Sequence, residues 1–425
     1  MKNIFKILVT VLSIGIALST SGQSLVSPEE SGLSLKKLQT IDRILNEYVN
    51  QEEVAGGVAL IARKGKIGYL RAFGMKDIEL KQPMKTDDIF RIASMTKAIT
   101  VAGVMMLFED GYFTLDDPLS KFIPEFSEMQ VMVEDKANDS YTLEKAESQI
   151  TIRHLLNHTS GLTYDFFRQP YISEIYTQNK IFNGLGETEG NIGDMVKRLA
   201  KLPLMNHPGE KWQYGMNMDV LGYLIEVISG QTFDEYLSDK IIEPLQMNDT
   251  YFYLPKQKQD RLATLYGIDS LAQLVKLKGT FKNGYHSDNE VHQSNRSYFS
   301  GGGGLVSTAE DYYKFLQMIL NNGFYNNKNL LSRKTIELMT SEQIGDNFKW
   351  FKGHGFGFGF AISRGPKFTG NPGSDGTYSW SGYFATFYWV DPQEELIGIL
   401  MTQLNPNKNN MKVKFKNLMY QAIND

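Results

Sequence analysis

Two serine–lysine pairs in this chain have the spacing needed to do chemistry together: Ser94-Met-Thr-Lys97 and Ser34-Leu-Lys-Lys37. On a helix, residues three apart share a face, so the hydroxyl and the amine can meet. A serine hydroxyl is a weak nucleophile until a neighbouring base takes its proton. A lysine amine supplies that base once burial or positive potential favours its neutral form. A helix start works in this direction through its dipole, and its first-turn N–H groups can hold a developing oxyanion. The chemistry such a pair supports is acyl transfer through a serine ester.

The residues that follow separate the two copies. Ser34 precedes an amphipathic pattern with Leu38, Ile41, Ile44 and Leu45 at helical spacing, which reads as an N-cap on a surface helix. Ser94 precedes Ile99, Val101, Val104, Met105, Leu107 and Phe108, a helix apolar enough to be buried. Other chemistries find little support. His154 and His158 are four apart on an expected helix, but no glutamate follows His154 and no third ligand stands out, so no metal is expected. No GxSxG nucleophile elbow is present: Ser160 and Ser381 each precede a glycine but lack one before them. The glycine run 301–304 is not followed by Gly-Lys-Ser/Thr and reads as a tight turn that lets backbone approach the sheet. With no cysteine, thiol catalysis, disulfides and cysteine metal sites are all excluded. No cofactor is expected.

The elements that must position Ser94 lie at both ends of the chain. Segments 57–63 and 67–73 read as strands joined by Lys64-Gly65. A helix over 94–110 stops at Gly111. From 115 to 295 strand patterns are few; the region holds short helices, a polar stretch at 132–150 and an irregular stretch at 256–298. A helix near 309–321 then leads to expected strands at 356–362, 384–390 and 395–401, the last two joined at Asp391-Pro392, and to a helix over 411–423. The alternating Gly and Phe at 353–360 reads as a strand with one bulky and one bare face. The expected fold class is α+β: one antiparallel sheet from both chain ends, flanked by helices, with an inserted, mainly helical lobe and a cleft between them. The sheet part spans 24–114 plus 299–425, and the lobe spans 115–298.

Composition fits a soluble enzyme, with 42% apolar and 22% charged residues. A formal charge of −4 presents no basic face, so no nucleic-acid partner is expected. Lys2 and Lys6, the apolar run 7–18 and the small and polar residues 19–24 follow the order of a secretory signal peptide, with cleavage near 19–23. That run is shorter than the roughly twenty residues needed to cross a bilayer. The expectation is a periplasmic or secreted protein with no membrane span after cleavage.

Several segments resemble the serine β-lactamase and penicillin-binding-protein superfamily. Phe90-Arg-Ile-Ala-Ser-Met-Thr-Lys is similar to its nucleophile motif. Matching segments follow in the family's order: Thr151-Ile-Arg-His-Leu-Leu-Asn-His-Thr-Ser-Gly-Leu, Gly209-Glu-Lys-Trp-Gln-Tyr, Asp219-Val-Leu-Gly-Tyr-Leu-Ile-Glu, Ser300-Gly-Gly-Gly-Gly-Leu-Val-Ser-Thr-Ala-Glu-Asp and Trp389-Val-Asp-Pro. Together they cover nearly all of the mature chain. They look like the class C β-lactamase branch, and most of all its family VIII carboxylesterases.

The resemblance implies a β-lactamase/DD-peptidase-like fold and a structural role for the His-Thr-Ser-Gly-Leu stretch beneath the cleft. It assigns Tyr214 as partner of Lys97; the residues alone do not single it out among 22 tyrosines, although a Pro208-Gly209 turn before it and a helix to Ser229-Gly230 after it suit a side chain aimed into a cleft. It implies an oxyanion site from the N–H groups of Ser94 and Tyr383, and a substrate-binding strand end at Trp380-Ser381-Gly382. The chain departs from the β-lactamase pattern twice. An asparagine usually stands two residues after the tyrosine; here that residue is Met216, and Asn217 comes one position late, so the amide role is not carried over. The third motif usually begins with lysine, which meets a substrate carboxylate; here Trp380 replaces it, a flat apolar wall suited to acyl or aryl groups. Both departures favour small ester substrates over β-lactams and D-Ala-D-Ala peptides. The rival functions are a β-lactamase or D-amino-acid peptidase, and a non-catalytic, penicillin-binding-like sensor.

Overall fold

The fold is built outward from the hairpin that Lys64-Gly65 closes. Lys64 (φ 53°) and Gly65 (φ 73°) both take positive φ, the two-residue turn whose twist matches its strands. In the computed structural model, which describes residues 25–167, 169–185, 190–277, 297–347 and 349–425, this hairpin joins β1 (Gly56–Arg63) to β2 (Lys66–Asp77). The leader at 1–23 lies outside the described residues. The hairpin enters an eight-stranded antiparallel sheet whose order, from one edge, is His354–Phe356, Ala361–Arg364, Asp375–Ser381, Phe387–Asp391, Leu396–Thr402, β1, β2 and β3 (Gln82–Pro83). Leu396–Thr402 pairs directly with β1, Gly57 opposite Thr402 and Arg63 opposite Leu396, so both chain ends make one sheet.

Strand periodicity sorts the side chains into two layers. Val58, Leu60 and Ala62, with Ile397, Ile399 and Met401, face the main core. Ala59, Ile61, Leu396 and Leu400 face the opposite layer, which α1 (Leu35–Asn50) and the terminal helix Met411–Gln421 cover with Leu38, Ile41, Leu45 and Phe415. Gly398 makes room in that layer: a β-carbon there would stand 2.3 Å from the Trp389 ring. On the main-core face runs α2 (Thr96–Glu109), buried at every position from 96 to 107 and therefore a helix through the core rather than along its edge. Gly111, with φ 80°, follows its end. Among the described residues, no helix is long and apolar enough to cross a membrane.

Several expected elements are redrawn. Segment 356–362 is not one strand but the tip of a hairpin between His354–Phe356 and Ala361–Arg364. Gly359 turns the chain at φ 80°, and Phe356, Phe358 and Phe360 are all buried, so the Gly–Phe alternation marks a turn folded into the core rather than a two-faced strand. The strand expected from 384 begins at Phe387, because 382–386 form a turn bonded from Gly382 N to Thr386 O. The polar stretch at 132–150 contains most of a hairpin, Gln130–Asp135 with Ser140–Lys145, whose second strand is wholly exposed and so shows no apolar alternation. Within 256–298, Tyr266–Ile268 pairs with Leu274–Lys276; residues 278–296 lie outside the described residues. Ser34 stands at the N-cap of α1 as expected, without a side-chain capping hydrogen bond.

Candidate active site

Ser94 is presented by a turn rather than by the helix itself. Phe90-Arg91 pairs with Val306-Ser307 as a short ladder, and Ile92 N donates to Leu305 O at 3.2 Å, which pins the chain just before the serine. Ala93 then takes φ 43°, a region a residue with a β-carbon rarely adopts. Ser94 follows in a 3₁₀ turn, Ala93–Met95, that leads into α2. Of residues 90–107, Ser94 alone is not buried. This geometry exposes one hydroxyl at the mouth of a buried helix.

Lys97, one turn on, is 2% exposed. Its Nζ donates to Ser94 Oγ at 3.2 Å and to Gly302 O at 2.5 Å. The ring centroids of Tyr214 and Tyr164 lie 4.7 and 5.3 Å from the same nitrogen, close enough for their π faces to solvate it. The glycine run is a device for this contact. It approaches helices rather than the sheet: Gly301 O accepts from Thr100 Oγ1 of α2 at 2.8 Å, and a β-carbon on Gly301 would stand 2.2 Å from Met218 O. A β-carbon on Gly302 would stand 2.6 Å from Asp219 Oδ2 and 2.7 Å from Tyr164 Oη. The expectation of a turn against the sheet is thus corrected, because the contacts are with α2 and the helix Asn217–Ser229.

Asp219 anchors that turn. It is fully buried and accepts from Ser300 Oγ at 2.7 Å and Tyr298 Oη at 3.2 Å. Burial pushes its carboxyl up to about 6, against the lowering pull of Ser300, of the Lys97 charge and of Tyr298. In the sequence Asp219 stands out only within a family-like segment; nothing in its spacing shows that it faces the turn holding Lys97.

Tyr214 is 7% exposed and lines the same cavity as Ser94. Gly215 lets the chain press against Leu162, since a β-carbon would meet Leu162 O at 2.2 Å. Trp380 Nε1 donates to Tyr214 Oη at 3.2 Å, so the indole that replaces the expected lysine touches the phenol directly. Asn217 is buried: its Nδ2 lies 2.7 Å from His158 Nδ1, and its Oδ1 accepts from Ser160 Oγ. That amide braces the His-Thr-Ser-Gly-Leu stretch. His158 lies beyond the helix Ile152–Leu156 with φ 59°, while His154 Nδ1 accepts from Thr151 N at that helix's start, so the two imidazoles do not share one helical face. Burial, and then the Lys97 charge, hold His158 far below the usual imidazole range. Among the described residues, no group of three metal-ligating side chains occurs.

Ser381, Gly382 and Tyr383 line the cavity from the end of the strand Asp375–Ser381. Gly382 is where the strand end and the turn carrying Ser94 touch: a β-carbon there would stand 2.4 Å from Ile92 O and 2.1 Å from Thr386 Oγ1. The cavity measures about 370 Å³. Much of its wall has no signature in the sequence: Phe166 and Phe167 come from the short 3₁₀ turn Asp165–Phe167, and Leu185, Trp350 and Phe351 from loops with no periodic pattern. Phe167 and Trp350 meet edge to face at 5.6 Å, and Trp350 stacks in the same way on Tyr214 at 5.3 Å.

The sequence profile of the beta-lactamase family matches residues 41–421. The chain belongs to the beta-lactamase family. Protein Rv1367c of Mycobacterium tuberculosis is 31% identical, covering 85% of this chain and 89% of its own. Esterase EstB of Burkholderia gladioli is 30% identical over the same shares. Among solved structures, EstCE1, described as a hydrolase with promiscuous acyltransferase activity, superposes with a TM-score of 0.77 at 25% identity, covering 92% of this chain and 98% of its own. The fold is that of β-lactamases and DD-peptidases, and the protein is a serine hydrolase of this family, related to the family VIII carboxylesterases.

Proposed function

We propose that this serine hydrolase cleaves small carboxylic esters, with Ser94 as nucleophile. Lys97 and Tyr214 together take the Ser94 proton as Oγ attacks the ester carbonyl. The N–H groups of Ser94 and Tyr383 hold the tetrahedral oxyanion. Its collapse breaks the bond to the alcohol, which leaves with the proton that the base system carried. Water, deprotonated by the same groups, then attacks the Ser94 ester, releasing the acid and regenerating the hydroxyl. The observation that carries the ester reading is the hydrogen bond from Trp380 to Tyr214. A neutral indole stands against the base where a lysine would greet a carboxylate beside the scissile bond, and aromatic rings complete the wall. Esterase EstB, similar over most of its length, is named for the same reaction.

The test is turnover of p-nitrophenyl acetate and a chromogenic cephalosporin by the wild type and by Ser94→Ala. Ester turnover that exceeds cephalosporin turnover and vanishes in Ser94→Ala is expected. Cephalosporin turnover above ester turnover identifies a β-lactamase instead, and no turnover of either overturns the reading. The leader pattern at 2–24 supports export as a further part of the proposal. An N-terminal sequence of the exported protein that starts near residues 20–24 is the expected result, and retention of Met1 in the cytoplasm contradicts it.

A further inference from the structure

A second cavity, of about 340 Å³, adjoins the first and has no part in the acyl transfer just described. The two share Trp350, Phe351, Trp380 and Ser381 as lining. Trp380 stands between them: it packs in the main core with its N–H on Tyr214, while its neighbour Ser379 lines only the second cavity. The far wall is cationic. Lys412 and Lys416 lie four apart on the terminal helix Met411–Gln421 and so share one face, and Lys352 joins them from the loop after Phe351.

Among the described residues, none of the three lysines forms an ion pair, whereas Lys64, Lys121, Lys197, Lys258 and Lys276 each do. Lys412 and Lys416 are also half-buried, and burial lowers both below the usual lysine range. The acid that acts on Lys416 is Asp391. Asp391 is itself wholly buried and already accepts from Ser374 N at 2.8 Å and Tyr420 Oη at 2.8 Å. His354 lines the same cavity, and the Lys416 charge adds to burial in lowering it. Lys412 Nζ lies 5.4 Å from the Phe387 ring, which supports the side chain against the sheet. Lys412 and Lys416, partly desolvated and without an ion pair among the described residues, carry a cost that an incoming anion offsets, and the exposed Lys352 adds its charge. The arrangement therefore favours a negative group on the far side of Trp350, Phe351 and Trp380 from the cavity that Ser94 lines.

We propose that this second cavity binds a carboxylate or phosphate carried at the end of the ester substrate remote from the scissile bond. The inference rests on the ester-hydrolase reading and names its substrate class. It also separates two positions for an anion: Trp380 leaves none beside the reacting carbonyl, while Lys352, Lys412 and Lys416 provide one beyond the aromatic wall.

The test compares esters that differ only in a terminal charge. The wild type is assayed on 4-nitrophenyl butyrate, on the 4-nitrophenyl half-ester of glutaric acid and on the 4-nitrophenyl ester of 4-phosphonobutyric acid. Phenyl acetate and 4-acetoxybenzoate form the pair with the anion on the alcohol side. An anionic ester is expected to exceed its neutral partner in kcat/KM by about tenfold, mostly through KM, with the advantage shrinking as salt is raised. The phosphonate and glutarate arms tell which anion is preferred. Lys412→Gln/Lys416→Gln is expected to bring the anionic-to-neutral ratio close to one, and Lys412→Arg/Lys416→Arg to preserve it. Lys145→Gln, on the 130–145 hairpin, should leave the ratio unmoved. Turnover of the neutral esters with no anionic preference in either pair overturns this inference and spares the hydrolase reading. A preference that survives the double glutamine substitution does the same. Failure on every ester overturns both.

Discussion

Ser34–Lys37 and Ser94–Lys97 have identical spacing and opposite settings. Ser34 sits at the N-cap of α1, and Lys37 is exposed on that helix. Ser94 sits in the turn before a helix buried through twelve successive positions, 96–107, and Lys97 reaches a backbone carbonyl 205 residues away at Gly302. Spacing places two groups on one face. What holds Ser94 and Lys97 in place comes from elsewhere in the chain: the Asp219-anchored glycine turn, the faces of Tyr164 and Tyr214, and the strand end at Gly382 pressed against Ile92. The motif is the smaller part of the site.

The comparison breaks most sharply at the two serines. Ser94→Ala is expected to lower ester kcat by about 10⁴-fold or more, as removal of a serine nucleophile does. Ser34→Ala should leave kcat unchanged, and because Ser34 makes no capping bond its cost in a urea melt should stay below about 1 kcal/mol. Equal losses in the two variants would refute the division. The lysines come next. Lys97→Met should cost about 10²- to 10⁴-fold in kcat, and Lys37→Met nothing measurable in the same assay.

Gly302→Ala sharpens the claim that the distant turn belongs to the site. Its β-carbon would fall within 2.7 Å of both Asp219 and Tyr164 and displace the carbonyl that holds Lys97. A loss of roughly 10²-fold in kcat is expected, with KM for p-nitrophenyl acetate changing far less. An unchanged kcat would mean that Lys97 does not depend on this carbonyl.

The smallest effect concerns pH. The Asp219 carboxyl titrates near 3.8 when unfolded and is raised to about 6 by burial in the fold. Between those values the folded state binds the extra proton, so the Asp219 contribution to stability falls as pH rises through this window. Asp219→Asn cannot titrate there. The melting temperature of the variant minus that of the wild type should therefore rise from pH 4 to pH 6.5; a flat difference contradicts the raised carboxyl.

Legibility followed periodicity. The Lys64-Gly65 hairpin, the face of α1 carrying Leu38, Ile41 and Leu45, and the helix ending before Gly111 all show in the sequence, because each follows a local repeat or a local turn preference. The hairpin at 354–364 did not show, since the turn at Gly359 interrupts a pattern that looks continuous. Gln130–Asp135 and Ser140–Lys145 did not either, because an exposed strand pair has no buried face to mark. In the site, Ser94 and Lys97 were legible from spacing and setting, and Tyr214, Trp380, Ser381, Gly382 and Tyr383 only through family resemblance. The wall formed by Phe166, Phe167 and Trp350 leaves no mark, for it is assembled from a short 3₁₀ turn and a loop far apart in the chain. The placement of Asp219 and Gly302 follows from tertiary contact alone.

The most direct test of the central claim is intact-protein and peptide mass spectrometry after treatment with a fluorophosphonate. The account predicts one adduct per chain, on the peptide containing Ser94, formed by the wild type and lost in Ser94→Ala while Ser34→Ala still labels. No adduct on the wild type, or an adduct that persists on another serine in Ser94→Ala, would contradict it.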